Sequence, residues 1–427
     1  MLSDLPKIKD LIKNNLRIVQ NTGYLTIIEC VRLLLPFVAL PYIVHTVGME
    51  RYGIVAFAHT VINYFFIFIN FGLNISSVKE VALLRDNKTA LHSLVSSVLA
   101  VKLFLLILSF VILMLCIAFV PVLAEHKTIM LYSFLICFYE LLFPIWYFQG
   151  IEKMKYITLV SSSSIILYTL SVFIFVTEQS DYELVALLQS LSSIVAGLIA
   201  FFCLIRIERV KLSIPPLSQT VSVFKNAIPF FLSRVSVVYN ANLAKTISGL
   251  FLSMESVAAF DIAQKLSQFV LIPVDMLNQA TYPYVARTRN KVFITKYLCL
   301  NALLGLLLSL MLFAVAPLLI SIFTNENVAE ATKILRVLCL FTFSDTITMG
   351  LGACTLVAFG YSKPFNDSVI ASTLVLSSIY LIIYGLGLFS TGYFAFAIFL
   401  SSVFVLAYRM RYCIKYGIFD FKALRSR

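Results

Sequence analysis

Residues 94–118 read LVSSVLAVKLFLLILSFVILMLCIA, with Lys102 as the single charge. A helix rises about 1.5 Å per residue, so a run of this length crosses a hydrocarbon core of about 30 Å. Similar apolar runs lie at roughly 24–46, 54–74, 94–118, 128–149, 157–177, 184–204, 228–251, 258–281, 297–321, 334–358, 369–388 and 391–411. Hydrophobic residues make up 60% of the 427-residue chain, and the mean hydropathy is +0.95. Soluble domains are about half apolar. The chain therefore reads as an all-α polytopic membrane protein with twelve transmembrane helices.

The distribution of cations sets the topology. Twenty-four of the 33 Lys and Arg fall before the first run, in the even-numbered connections or after the last run. Examples are Lys7, Lys79, Lys153, Arg206, Lys211, Arg287 and Lys363; the final group comprises Arg409, Arg411, Lys415, Lys422, Arg425 and Arg427. The odd connections hold only Arg51, Lys127 and Lys333. Short loops rich in Lys and Arg stay cytoplasmic, so both termini are predicted to face the cytoplasm. The odd connections define the outer side. The net charge of +12 is then topogenic charge facing an anionic leaflet and calls for no nucleic acid partner. Leu5, Ile8, Ile12, Leu16 and Val19 recur at helical spacing among the N-terminal lysines, which suggests a short surface helix.

The first apolar run is longer than a signal-peptide core and contains Glu29 and Arg32, so no cleavable leader is expected. The eight cysteines lie in or beside spans without a C-x-x-C pair. They read as free thiols or apolar filler rather than disulfides or metal ligands. No connection exceeds about 25 residues, no Walker-type phosphate loop occurs, and neither H-E-x-x-H nor G-x-S-x-G is present. These features point away from an enzyme and toward transport or a structural role, with no cofactor or metal.

Eleven charged residues fall inside spans: Glu29, Arg32, Lys102, Glu140, Arg234, Lys245, Asp261, Lys265, Asp275, Arg336 and Asp345. Each costs roughly 2.5–3.5 kcal/mol at a helix centre on insertion scales, so each should face a bundle interior or water. Lys102, Glu140 and Arg336 lie near span ends and can instead snorkel. The others fall on stripes. His59, Asn63, Asn70 and Asn74 are spaced 4, 7 and 4 on the second span. At about 100° per residue they share one face. Arg234 and Lys245 lie three turns apart on the seventh span. Asp261, Lys265, Gln268, Asp275 and Gln279 form one face of the eighth, and Glu29 and Arg32 share a side of the first. Such stripes can be hydrogen-bonding glue between helices. Unpaired like charges on one face, Arg234 and Lys245, favour a water-filled lumen.

Cationic positions in a lumen suit phosphate, and amides suit sugars. The candidate substrate-facing residues are Arg32, Arg234, Lys245, Lys265, His59, Asn63, Asn70, Asn74 and Gln268. Glu29, Asp261, Asp275 and Asp345 are candidate charge partners or carriers for coupling to H+ or Na+. Arg234 and Lys245 have no acid one turn away in their own helix, which makes them the preferred anion contacts. Trp146, the only Trp, lies near a span end, where an interfacial anchor is the default expectation.

The spans divide into a six-helix lobe over 1–205, a cytoplasmic linker over 206–227, and a second six-helix lobe over 228–427. Gly48-Met49-Glu50 follows the first span and Ser253-Met254-Glu255 the seventh, each leading into small and apolar residues. The matched placement suggests a duplicated unit in parallel orientation, a recurrent transporter plan.

Leu141-Leu142-Phe143-Pro144-Ile145-Trp146-Tyr147-Phe148-Gln149-Gly150-Ile151-Glu152-Lys153-Met154-Lys155-Tyr156 resembles the segment after the fourth span of Wzx-type polysaccharide flippases. Gly48–Phe57 resembles their first outer turn, and Asn226–Phe230 the start of their second half. The resemblance implies the multidrug/oligosaccharidyl-lipid/polysaccharide exporter fold. It also implies a bacterial inner-membrane location, an undecaprenyl-diphosphate-linked O-antigen or capsule repeat unit as substrate, and membrane lipid, a polysaccharide polymerase and a chain-length regulator as partners. In that fold the first, second, seventh and eighth helices line the central cavity, and these four carry the stripes. The alternatives are a small-molecule or drug antiporter of the same fold, a peptidoglycan-precursor flippase, for which fourteen spans are usual, and a membrane glycosyltransferase, which needs a long outer loop.

Overall fold

The computed structural model describes residues 34–419. Glu29, Arg32 and the N-terminal amphipathic stretch lie outside the described residues. We number the helices α1 (Leu34–Val47), α2 (Met49–Leu84), α3 (Lys88–Phe119), α4 (Lys127–Gly150), α5 (Met154–Phe175), α6 (Gln179–Ile207), α7 (Leu217–Phe251), α8 (Met254–Thr288), α9 (Lys291–Phe323), α10 (Val328–Val357), α11 (Ser362–Gly385) and α12 (Thr391–Lys415). Eleven of these, α2 to α12, are long and apolar enough to cross a membrane. The protein is a multi-pass, all-helical membrane protein. Several helices run well beyond the predicted apolar runs. The clearest case is α7, which starts at Leu217 directly after Pro215-Pro216, so residues 217–227 are helical rather than linker. Proline cannot continue a helix on its N-terminal side, which places the start there.

The core divides with depth. At the end that carries the odd-numbered connections, the expected outer end, residues of both halves share one apolar cluster, in which Ala39, Val47 and Phe57 join Val257, Phe260 and Leu338. Toward the inner end there are two separate clusters. Leu94, Trp146, Phe148 and Ala200 belong to the first half, and Val285, Ile294, Leu351 and Cys413 to the second. The two halves thus share one core at the first end and have separate cores at the other, where α7 bridges to the first half through Val223 and Ala227.

The outer junction is tight because α2, α7 and α8 meet at glycines. A Cβ on Gly53 would overlap the Met254 carbonyl, and one on Gly249 would overlap the Phe57 ring. Small residues let membrane helices approach at backbone distance. Phe37 adds contacts across the same seam to Phe269 and Phe323, with centroids 4.1 and 6.5 Å away.

Helix α2 breaks at Phe71-Gly72, where both residues adopt positive φ, 45° and 72°. Glycine takes this conformation freely, whereas Phe71 does not. The Phe71 ring is held between Phe224 and Phe231 of α7, at 4.5 and 4.2 Å with nearly parallel planes. The break therefore docks the N-terminal part of α7 onto the first half. Farther along, Tyr239 and Asn240 bond Ser377 and Ser372 of α11 at 3.0 and 2.9 Å. One helix thus holds both halves.

Trp146 departs from the interfacial-anchor expectation. It is fully buried against Tyr147 in the first-half core. The reason is local: α4 unwinds at Phe143-Pro144, and the short turn that follows folds the indole inward.

Candidate functional site

The charges of α7 and α8 meet α2 just below the outer seam. The Lys245 ammonium lies 3.0 Å from Asp261 Oδ1, and Lys265, one turn on from Asp261, reaches Oδ2 at 2.7 Å. The Tyr52 hydroxyl, from the first turn of α2, donates to Asp261 Oδ2 at 2.5 Å and accepts from Lys265 at 2.8 Å. One carboxylate therefore serves two ammonium groups, and the cluster keeps one uncompensated positive charge. Asp261 is 5% and Lys245 11% exposed, whereas Lys265 is 44% exposed. This arrangement revises the sequence argument on which cation is free. Lys245 finds its acid on the neighbouring helix, not its own. Lys265, adjacent to that same acid in sequence, presents the accessible charge. His59 stands exposed on the α2 stripe with Asn63 half-buried beyond it.

Arg234 is exposed on the Lys245 stripe of α7, about three turns toward the inner end. Val237 and Ala241, on the same stripe, line a cavity of about 430 Å³ formed with α8, α10, α11 and α12. Its polar wall includes Gln268, Asp275, Asp345, Asn240 and Arg409. Gln279 donates to Asp275 at 2.9 Å, and Thr348 to Asp345 at 3.3 Å. Arg409 donates to the Thr348 carbonyl at 2.7 Å and to Ser368 at 3.0 Å, and it stacks over Phe365. Two carboxylates against one guanidinium give this wall the opposite balance to the junction cluster.

Asn70 and Asn74 stand apart from the rest of their stripe. Both donate to Glu140 Oε1 at 2.9 Å, one from each side of the α2 break. Lys102 contacts the same oxygen at 2.6 Å, and also Asn74 Oδ1 and the Glu140 carbonyl, each at 3.0 Å. Lys102 is fully buried and Glu140 nearly so. The pair does not snorkel, and the two asparagines bind an ion pair inside the first half rather than face a lumen. Arg336 is exposed over the Phe313 ring of α9, as a snorkelling side chain near a span end would be.

Two participants were missed from sequence. Tyr52 lies seven residues before His59, on the same face, but an aromatic at a span end reads as belt. Arg409 falls two residues inside the twelfth apolar run and was grouped with the cytoplasmic tail; the structure buries it in the second half.

The fold and the charge clusters inside its long apolar helices define a polytopic helical membrane protein. A family model described as "Polysaccharide biosynthesis protein" matches residues 18–289, and the chain belongs to this family. A "Putative O-antigen transporter" of Escherichia coli (strain K12) is 27% identical over 372 residues, covering 85% of this chain and 89% of that protein. Two solved structures share the fold with TM-scores of 0.72. One is the inward-facing conformation of a multidrug resistance MATE family transporter of the MOP superfamily, 15% identical and covering 92% of this chain and 96% of that one. The other is the lipid II flippase MurJ in an inward closed conformation, 16% identical and covering 94% and 88%. The protein is a multi-pass, all-helical membrane protein of a polysaccharide biosynthesis family.

Proposed function

We infer that this chain is a flippase for an undecaprenyl-diphosphate-linked oligosaccharide, an O-antigen or capsular repeat unit. It carries the unit from the cytoplasmic to the outer leaflet of the bacterial inner membrane. The observation that carries the reading is the charge imbalance at the junction of the halves. A solvent-reachable Lys265 beside a paired Lys245, with Arg234 farther inward on the α7 stripe, offers successive contacts for a phosphate-bearing headgroup. The family match and the O-antigen transporter relative support the same substrate class. One shared core on the outer side and separate cores bridged by α7 on the inner side suit loading from the cytoplasm, followed by rocking of one lobe against the other. The lobes are assigned to 1–205 and 228–427, with both termini cytoplasmic. Polymerase and chain-length regulator would receive the product on the outer side.

A small-molecule antiporter of the same fold is the second reading. The Asp275 and Asp345 carboxylates in the second-half cavity favour it, since they suit a cationic ligand or H+ or Na+ coupling. Complementation of a flippase-deficient strain decides between the two. Restored surface polysaccharide that is lost in Arg234→Glu at normal membrane levels supports the flippase. Failure of the wild-type chain to restore polymer, together with a gain in drug tolerance, supports the antiporter.

A further inference from the structure

Tyr52 belongs to the first half, and Asp261, Lys245 and Lys265 to the second. Their bonds are formed where the two halves touch most closely. The next residue of α2, Gly53, meets the Met254 carbonyl at the start of α8. No outward opening can separate α2 from α8 there without breaking the 2.5 Å Tyr52–Asp261 bond and the 2.8 Å Lys265–Tyr52 bond. Other contacts cross the same seam. Met49 N donates to Glu326 at 3.1 Å, and the His45 ring lies 3.1 Å from the Ile322 carbonyl. Those two lie at the outer surface. Among the described residues, the Tyr52 group combines a bond across the seam with an accessible charge, that of Lys265.

We propose that Tyr52 and Asp261 form the latch of the outer gate, and that a diphosphate-bearing ligand releases it by drawing Lys265 away. The argument rests on the flippase reading. Lys265 Nζ contacts both Asp261 Oδ2 and the Tyr52 oxygen, so it holds those two together. A diphosphate offers Lys265 several anionic oxygens in place of half a carboxylate. Once it binds, Asp261 has a like charge nearby on the Oδ2 side and an ammonium, Lys245, on the Oδ1 side. The carboxylate is driven toward Lys245 and away from Tyr52, and the seam loses its charged bond. Ligand binding and outer opening are thereby one event, which prevents an empty transporter from opening outward.

The test uses the full-length chain, with its native cysteines replaced and a single cysteine at Thr246, which bonds Tyr64 beneath the seam. An impermeant maleimide is applied from outside to cells in which synthesis of the lipid-linked glycan can be switched on. The expected result has three parts. The wild-type background labels slowly without glycan and faster with it. Tyr52→Phe labels about tenfold faster even without glycan, the scale of losing a buried charge-assisted bond. Lys265→Gln, which lacks the ammonium that holds the latch together, labels faster than the wild type without glycan, and glycan changes its rate no further. Export of surface polymer is scored in the same cells. If the wild-type chain exports polymer while glycan leaves its labelling unchanged, or if Tyr52→Phe labels like wild type, the latch is wrong and the flippase reading stands. If the wild-type chain exports nothing, the flippase reading falls and takes ligand release with it. A Tyr52→Phe chain that fails to accumulate is replaced by Asp261→Asn, which must show the same early labelling.

Discussion

Among the described residues, two lysine–carboxylate groupings lie within the spans, and they are built for opposite ends. In the first half, Lys102 and Glu140 form a neutral pair, fully enclosed, with Asn70 and Asn74 on the same carboxylate oxygen. At the junction, two lysines share Asp261, one of them half-exposed, with a bond reaching the opposite lobe. A buried pair stripped of one partner costs about 3–5 kcal/mol, because the remaining charge has nowhere to go. An exposed and unbalanced cluster tolerates loss of a member but loses its ligand chemistry. Balance and enclosure, rather than residue type, separate structural charge from usable charge.

The largest expected effect follows from the enclosed pair. Lys102→Met should cost about 3–5 kcal/mol and deplete the protein from membranes. The double variant Lys102→Met, Glu140→Leu should recover most of that loss. Thermal unfolding of detergent-purified protein measures both, and a double variant as unstable as the single one would break the comparison. Next comes Lys265→Gln. It should keep a melting temperature near wild type while surface polymer falls by about tenfold or more, the scale of a lost charge-assisted contact. Equal losses of stability and export would make the junction cluster merely structural. Gly53→Val should wedge the seam by forcing a branched side chain against the Met254 carbonyl. Faster labelling of a cysteine at Thr246 from outside would show it. The smallest effect concerns sidedness and leaves activity intact: a cysteine at Asp181 should react from outside, and one at Lys211 should not.

Much of the fold was legible, because spanning a membrane demands long apolar runs and the Lys/Arg bias orders them. Length alone could not show that α7 begins at Leu217 or that α2 breaks at Phe71-Gly72. Those features depend on turn chemistry and on what docks beside them. At the site, helical periodicity grouped Asp261 with Lys265 correctly but treated each helix alone. It therefore described Lys245 as unpaired, when its acid sits on α8. The same periodicity aligned Asn70 with His59. It could not see that the helix breaks beyond Asn70, nor that Glu140 approaches from α4. Arg409 was misread because charge near a run's end looks topogenic until a neighbour such as Phe365 is known.

The contact of Gly53 with Met254 has a consequence for how the seam can vary. The two outer turns carry matching Met-Glu pairs, yet their contributions to the contact differ in kind. At position 53 the requirement is for the absence of a side chain, so the permitted alphabet has one letter. At position 254 the contact is made by a carbonyl that every residue possesses, so the seam is blind to the side chain there. A search for co-varying partners would find nothing to pair with Gly53, although it marks the tightest crossing between the halves.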